Sequence, residues 1–133
     1  MLFLDTSALI KRYVDEDGTA LVLRRMDEDR DWVVSSVARA ETEISLCRLG
    51  FEPEAAAESW RRLREDWDRC LVVPLDVTCL ERAAEIGCRY QVRTLDALHL
   101  AAADRLPPPL VVLTFDRNQA EAARSMNLMV EGA

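Results

Sequence analysis

The chain has one lysine (Lys11), one histidine (His99), no C-x-x-C pair and no apolar run long enough to span a bilayer. Each scarcity excludes something. Without C-x-x-C, the four cysteines at 47, 70, 79 and 88 lack the spacing of a zinc site. Cys79 and Cys88 fall on one predicted helix, nine residues apart and so on opposite sides of it. All four are expected to be buried reduced thiols. The short apolar runs rule out a transmembrane helix, and Met1 opens directly onto a predicted strand with no signal peptide, so a cytoplasmic protein is expected. No repeat, linker or low-complexity tract interrupts the 133 residues, which suit a single domain over 1–133 with one sizeable core. Half the residues are apolar, which argues against disorder.

The net charge is −7 and the pI about 4.8. That balance opposes broad, non-specific nucleic-acid binding. Four carboxylates clustered around cations would account for four of the seven charges. An RNA substrate is therefore compatible with the composition if a local patch and a metal ion hold it.

The pattern alternates short apolar strands with helices. Leu2, Phe3 and Leu4 form the first strand. A short helix follows at about Ala8 to Val14, with Thr6 or Ser7 as its cap, and Asp15 to Gly18 break it. Thr19 to about Asp29 reads as a second helix and Trp32 to Val34 as the second strand. Ser35-Ser36 cap a third helix ending at Leu49, with Gly50 at its C′ position. Pro53 opens a fourth helix that runs to about Arg69 and is mostly exposed. Leu71 to Val73 is the third strand. Thr78 and Glu81 form a capping box for a fifth helix ending near Tyr90. Thr94 to Leu106 is an almost wholly apolar sixth helix, closed by Pro107 to Pro109. Leu110 to Leu113 is the fourth strand. Asp116 starts the last helix, Asn127 suits a left-handed C′ residue, and Leu128 to Val130 is a final strand. Such alternation predicts an α/β fold: a central parallel sheet of about five short strands, with helices on both faces. Right-handed crossovers restrict its topology.

Four carboxylates stand out. In open α/β sheets, ligands bind outside the carboxyl ends of the strands. Asp5 directly follows the first strand, where it suits either an N-cap or the floor of a site. Asp116 follows the fourth strand in the same way and could equally form a capping box with Gln119. Glu41 shares a helix face with Val37, Ala40 and Ile44, where an unpaired glutamate carries a desolvation cost; an ion pair with arginine or a metal would offset it. Asp96 lies in the first turn of the most apolar helix among Leu95, Leu98, Leu100 and Ala101, where a helix-dipole role alone is worth under about 1 kcal/mol. Glu43 faces away from Glu41 and reads as a solvated charge, as does the Asp27 to Asp31 run. Acids gathered at one edge repel each other unless a cation sits among them, and all-oxygen donors suit Mg2+ or Mn2+. His99, three residues after Asp96, reads as a satisfied core or supporting group in preference to a general base. Trp32, Trp60 and Trp67 read as packing or interface residues.

The segments LDTSAL (4–9), SSVARAE (35–41), VPLD (73–76), RTLDALHLAAA (93–103) and LTFDRNQAEAA (113–123) occur in the order of the PIN-domain ribonucleases, and the chain resembles their VapC-like toxins. LDTSAL and LDALHLA carry most of the specificity. Asn127 stands where that family usually has glycine, and asparagine tolerates the same left-handed backbone. The resemblance implies a five-stranded parallel PIN-like fold and a Mg2+- or Mn2+-dependent endoribonuclease acting as the toxin of a type II toxin–antitoxin pair. It places Asp5, Glu41, Asp96 and Asp116 at the family's acidic positions, as metal ligands and catalytic groups. Asp5 and Asp96 are expected to bind the metal directly; Glu41 and Asp116 hold a second ion or orient water. Thr6, Ser7 and Thr114 can hydrogen-bond the carboxylates. A homodimer and a small VapB-like antitoxin are the implied partners. A basic side chain from that antitoxin would complement the acidic pocket, with Leu21, Val22 and Met26 as a possible apolar groove beside it.

The alternatives are a structure-specific DNA nuclease of the same fold, a phosphoryl-accepting receiver or phosphatase, and a non-catalytic PIN-like scaffold. The first usually adds DNA-binding elements that this compact acidic chain lacks. The second needs a further acid beside the first and a late lysine. The third would normally have lost one or more of the acids.

Overall fold

The computed structural model describes residues 1–133. Five strands, β1 (Leu2–Leu4), β2 (Trp32–Ser35), β3 (Leu71–Val73), β4 (Val111–Thr114) and β5 (Met129–Gly132), form one sheet in the order β3-β2-β1-β4-β5. Every neighbouring pair is parallel. Seven α-helices cover it: α1 (Thr6–Leu9), α2 (Thr19–Glu28), α3 (Val37–Arg48), α4 (Pro53–Arg69), α5 (Val77–Tyr90), α6 (Thr94–Asp104) and α7 (Arg117–Ser125). A 3-10 turn over Ile10–Arg12 extends α1. No helix is long and apolar enough to cross a membrane.

Alternation along β1 divides the interior in two. Phe3, with Val33, Val73 and Val112, packs against Ile86, Ala97, Leu100 and Ala101 of α5 and α6. Leu2 and Leu4, with Trp32, Val34 and Leu113, pack against Leu9, Val22, Met26, Leu46 and Leu63 on the other face. Both faces being covered explains why β1 is apolar at every position. Each leucine so buried contributes about 1.5–3 kcal/mol relative to exposure. All strands run the same way, so β1 and β4 end on the same edge, with Leu4 paired to Leu113. The residues after them, Asp5 and Thr114, are therefore neighbours.

Local chemistry decides between the expected readings at some points and departs from them at others. Asp5 is the N-cap of α1, its Oδ1 accepting from the Ala8 N–H at 2.9 Å, so the helix starts at Thr6. Asp76, and not Thr78, caps α5 by accepting from the Cys79 N–H at 2.9 Å. Asn127 takes the left-handed conformation expected of it, with φ 63°. On α3 the buried row is Ala38, Thr42 and Leu46; Ile44 is 49% exposed and Ala40 is exposed. The apolar face assigned to Val37, Ala40 and Ile44 thus lies about 160° round the helix from the row that meets the sheet, with Glu41 about 100° from that row, at the rim of the core. Val22 and Met26 are likewise buried beneath the sheet, so they form no open groove. Among the cysteines only Cys79 is fully buried; Cys47 and Cys88 are exposed and Cys70 is half-buried, all as free thiols. Burial, with the charge of Asp66 nearby, pushes the Cys70 thiol up to about 12.

Leu46→Ala is expected to lower the unfolding free energy by about 2–5 kcal/mol through the cavity it leaves, and Ile44→Ala to change it by at most about 0.5 kcal/mol. Urea denaturation of the two variants measures the difference. Equal losses would place α3 in the other rotation.

Candidate functional site

Asp5 is 3% exposed, and its carboxylate is enclosed by donors. Oδ1 accepts from the Ala8 N–H at 2.9 Å. Oδ2 accepts from the Thr114 hydroxyl at 2.8 Å. The single Ser7 hydroxyl proton lies within reach of both oxygens, at 2.8 and 2.9 Å. Ser7 is itself fixed by the Phe115 N–H, which donates to its Oγ at 2.8 Å. Burial pushes the Asp5 carboxyl above the ordinary value of 3.8, against the opposing influence of His99, Ser7, Ala8 and Thr114.

Glu41 reaches the same edge from α3. Its Oε1 accepts from the Thr6 hydroxyl at 2.8 Å and lies 2.6 Å from His99 Nε2. Against a carboxylate acceptor, Nε2 carries the proton. Burial pushes the Glu41 carboxyl up, but the His99 hydrogen bond and charge, together with Thr6, outweigh it and hold the group below its ordinary value. The partner of Glu41 is thus an imidazole and a hydroxyl in place of the arginine expected for a buried pair. His99 is 3% exposed, stands edge-on to Phe3 and leaves Nδ1 buried without a hydrogen-bond partner. It therefore packs into the core and braces Glu41.

Asp96 (6% exposed) and Asp116 complete the edge from α6 and α7. Asp116 caps α7, its Oδ1 accepting from the Gln119 N–H at 2.9 Å. Arg93 joins the two acids, donating from Nε to Asp96 Oδ2 and from Nη2 to Asp116 Oδ2, both at 2.9 Å. No three of the carboxylate, imidazole and thiol side chains stand together as a metal-holding group in this arrangement. The donor chemistry nevertheless suits a hard cation: the acids present only oxygen, and Glu41 Oε2 and Asp96 Oδ1 have no hydrogen-bond donor. Glu43 instead pairs with Arg39 at 2.6 Å.

Two residues at this edge escaped the sequence reading. Arg93 lies three residues before Asp96, a spacing that permits an ion pair across one helical turn. Gln119, 1% exposed, places its side-chain amide 2.7 Å from the Thr114 hydroxyl, whose single proton serves Asp5, and so backs the residue that supports Asp5. It shares a helical face with Ala122, Ala123 and Met126, the same signal of a polar residue in an apolar stripe that marked Glu41.

A PIN-domain model matches residues 2–125. The chain belongs to the PIN-domain family. Among curated proteins it is 32% identical over 130 residues to Ribonuclease VapC46 of Mycobacterium tuberculosis, covering 97% of this chain and 95% of that one. It is 28% identical over 134 residues to Ribonuclease VapC47 of the same species, covering 97% and 94%. Among solved structures, VapC20 of M. tuberculosis, described as a Sarcin-Ricin loop cleaving toxin, superposes with a TM-score of 0.74 at 19% identity, over 92% of this chain and 95% of that one. FitAcB from Neisseria gonorrhoeae does so with a TM-score of 0.73 at 20% identity, over 98% and 96%. The PIN-like fold of this chain is thus the fold of the VapC structures.

The raised Asp5 pKa sets a pH signature. The folded chain holds this proton more tightly than the unfolded chain, so Asp5 costs stability as pH rises from about 3.8 through its folded pKa. In metal-free buffer, Asp5→Asn should be more stable than the parent at pH 7, with the gap closing toward pH 3. Thermal melts across that range check the sign; an Asp5→Asn protein less stable at neutral pH contradicts it.

Proposed function

We propose that the chain is a Mg2+- or Mn2+-dependent endoribonuclease and the toxin of a type II toxin–antitoxin pair, with Asp5, Glu41, Asp96 and Asp116 as its metal-binding and catalytic acids. The observation that carries this reading is the gathering of the four acids at the carboxyl edge in two hydrogen-bonded groups. Thr114 joins Asp5 to the backbone of Asp116, Arg93 joins Asp116 to Asp96, and Thr6 and His99 hold Glu41 beside them. The curated relatives being ribonucleases favours RNA as the substrate.

Each residue then has a defined task. Asp5 and Asp96, the two most buried of the four edge acids, would hold the cation. A divalent ion there supplies Lewis-acid stabilisation of the phosphate and acidifies water. Ser7, Thr114 and the Ala8 N–H keep Asp5 aligned without a rotamer search. Glu41, kept ionised by His99, presents a free Oε2 that can ligate or take a proton from water. Asp116, anchored by the Gln119 N–H, would hold a second ion or orient water. No side chain acts as a nucleophile.

A small antitoxin and a second copy of the chain are the proposed partners. The antitoxin is supported by the likeness to a toxin–antitoxin complex from Klebsiella pneumoniae (15% identical, TM-score 0.68). With Val22 and Met26 buried, the groove expected of Leu21, Val22 and Met26 is not open, and Leu21 alone of the three reaches the surface.

Purified protein should cleave RNA with Mg2+ or Mn2+ and stop with EDTA; undiminished cleavage in EDTA refutes the mechanism. Asp5→Asn and Asp96→Asn should each reduce cleavage by about 100-fold or more with the fold retained, the scale of losing a preorganised electrostatic group. Glu43→Gln should leave the rate within about twofold, because its ion pair with Arg39 is a partly exposed surface pair.

A further inference from the structure

Arg93 is the one arginine or lysine paired with any of the four acids. Its guanidinium bridges Asp96 and Asp116 at 2.9 Å each, while Nη1 has no partner. The backbone holds the residue firmly, as the N-cap of α6 in extended conformation (φ −65°, ψ 159°). The side chain is 74% exposed, against 9% for Asp96, so it can swing away without disturbing the core. A divalent ion that takes Asp96 Oδ2 or Asp116 Oδ2 must displace it. Once displaced, the guanidinium stays tethered one turn from Asp96, and its planar fork matches a phosphate.

Resting on the reading of this edge as a metal-dependent ribonuclease site, we propose that Arg93 is a displaceable counter-cation. It neutralises Asp96 and Asp116 while no divalent ion is bound, yields them to the ion, and then engages the RNA phosphate. Pairing with the acids lowers the fraction of protein competent to bind metal, and so lowers the apparent metal affinity by that fraction. The pairs are exposed, so the effect is modest. Arg93 is by this argument a positioning residue for the acids and a contact for the substrate.

The test uses Arg93→Ala and Arg93→Lys in the full chain. Mn2+ binding is measured by calorimetry without RNA. Binding of a fluorescent single-stranded RNA is measured by anisotropy in Ca2+. Arg93→Ala is expected to bind Mn2+ about five- to tenfold more tightly than the parent and RNA about five- to tenfold more weakly, with Arg93→Lys between. A purely structural arginine would not move the two affinities in opposite directions. Mn2+ affinity unchanged or weakened in Arg93→Ala, or RNA affinity unchanged, overturns the proposal. If the parent binds Mn2+, Asp96→Asn loses it and Arg93→Ala matches the parent, then Arg93 alone is misassigned. If the parent binds no Mn2+, the metal reading of the site falls with it.

Discussion

The structure turns on a carboxylate in a place where carboxylates are costly. Asp5 sits at the end of the central strand, between two apolar layers, and is almost wholly removed from water. An ionised group there persists only if protein donors replace its hydration. Those donors come from the helix that Asp5 itself caps and from the neighbouring strand. Helix α1 can therefore start only where it does, β4 has to pair with β1 in the observed register, and Gln119 of α7 is drawn in behind Thr114. The acid is held in its post by the elements whose positions it helps to define.

The remaining acids are handled differently, and the differences follow burial. Glu41, at the rim, is kept ionised by an imidazole and a hydroxyl on a single oxygen, leaving the other open. Asp96 and Asp116 share an arginine from the solvent side. Each arrangement satisfies the carboxylate yet leaves it able to exchange partners. Like charges at one edge weaken the folded state unless a cation joins them, the trade between stability and activity common at functional sites. The two apolar layers beneath, one on each sheet face and each with fully buried leucine or alanine, supply the stability that the edge gives up.

Much of this was legible in the chain alone, for identifiable reasons. Apolar triplets between helical periodicities marked β1 to β3; in β1 and β2 this is because strands covered on both faces have no polar register to confuse the pattern, whereas β3 is an edge strand with Leu71 exposed. Strand-then-acid placement marked Asp5 and Asp116 and the apolar helix α6 marked Asp96, while the row that marked Glu41 lies away from the sheet. Helix faces were less legible. On α3, Ala38, Thr42 and Leu46 lie nearly opposite the row that hydrophobicity favoured, because alanine and threonine bury well while carrying little apolar signal. Capping residues shifted for a similar reason: Asp5 and Asp76 each precede a hydroxyl residue able to cap, and backbone geometry decides between them.

By itself, then, the sequence determined the alternation of elements, the parallel sheet with both faces covered and the four acids, since these follow from local periodicity and composition. Only the tertiary structure decided which partner each acid takes. The Thr6–Glu41, His99–Glu41, Thr114–Asp5 and Arg93–Asp116 contacts join residues 35, 58, 109 and 23 positions apart. No local pattern encodes such pairings; they exist because parallel strands bring all their carboxyl ends, and the helix starts that follow them, to one edge.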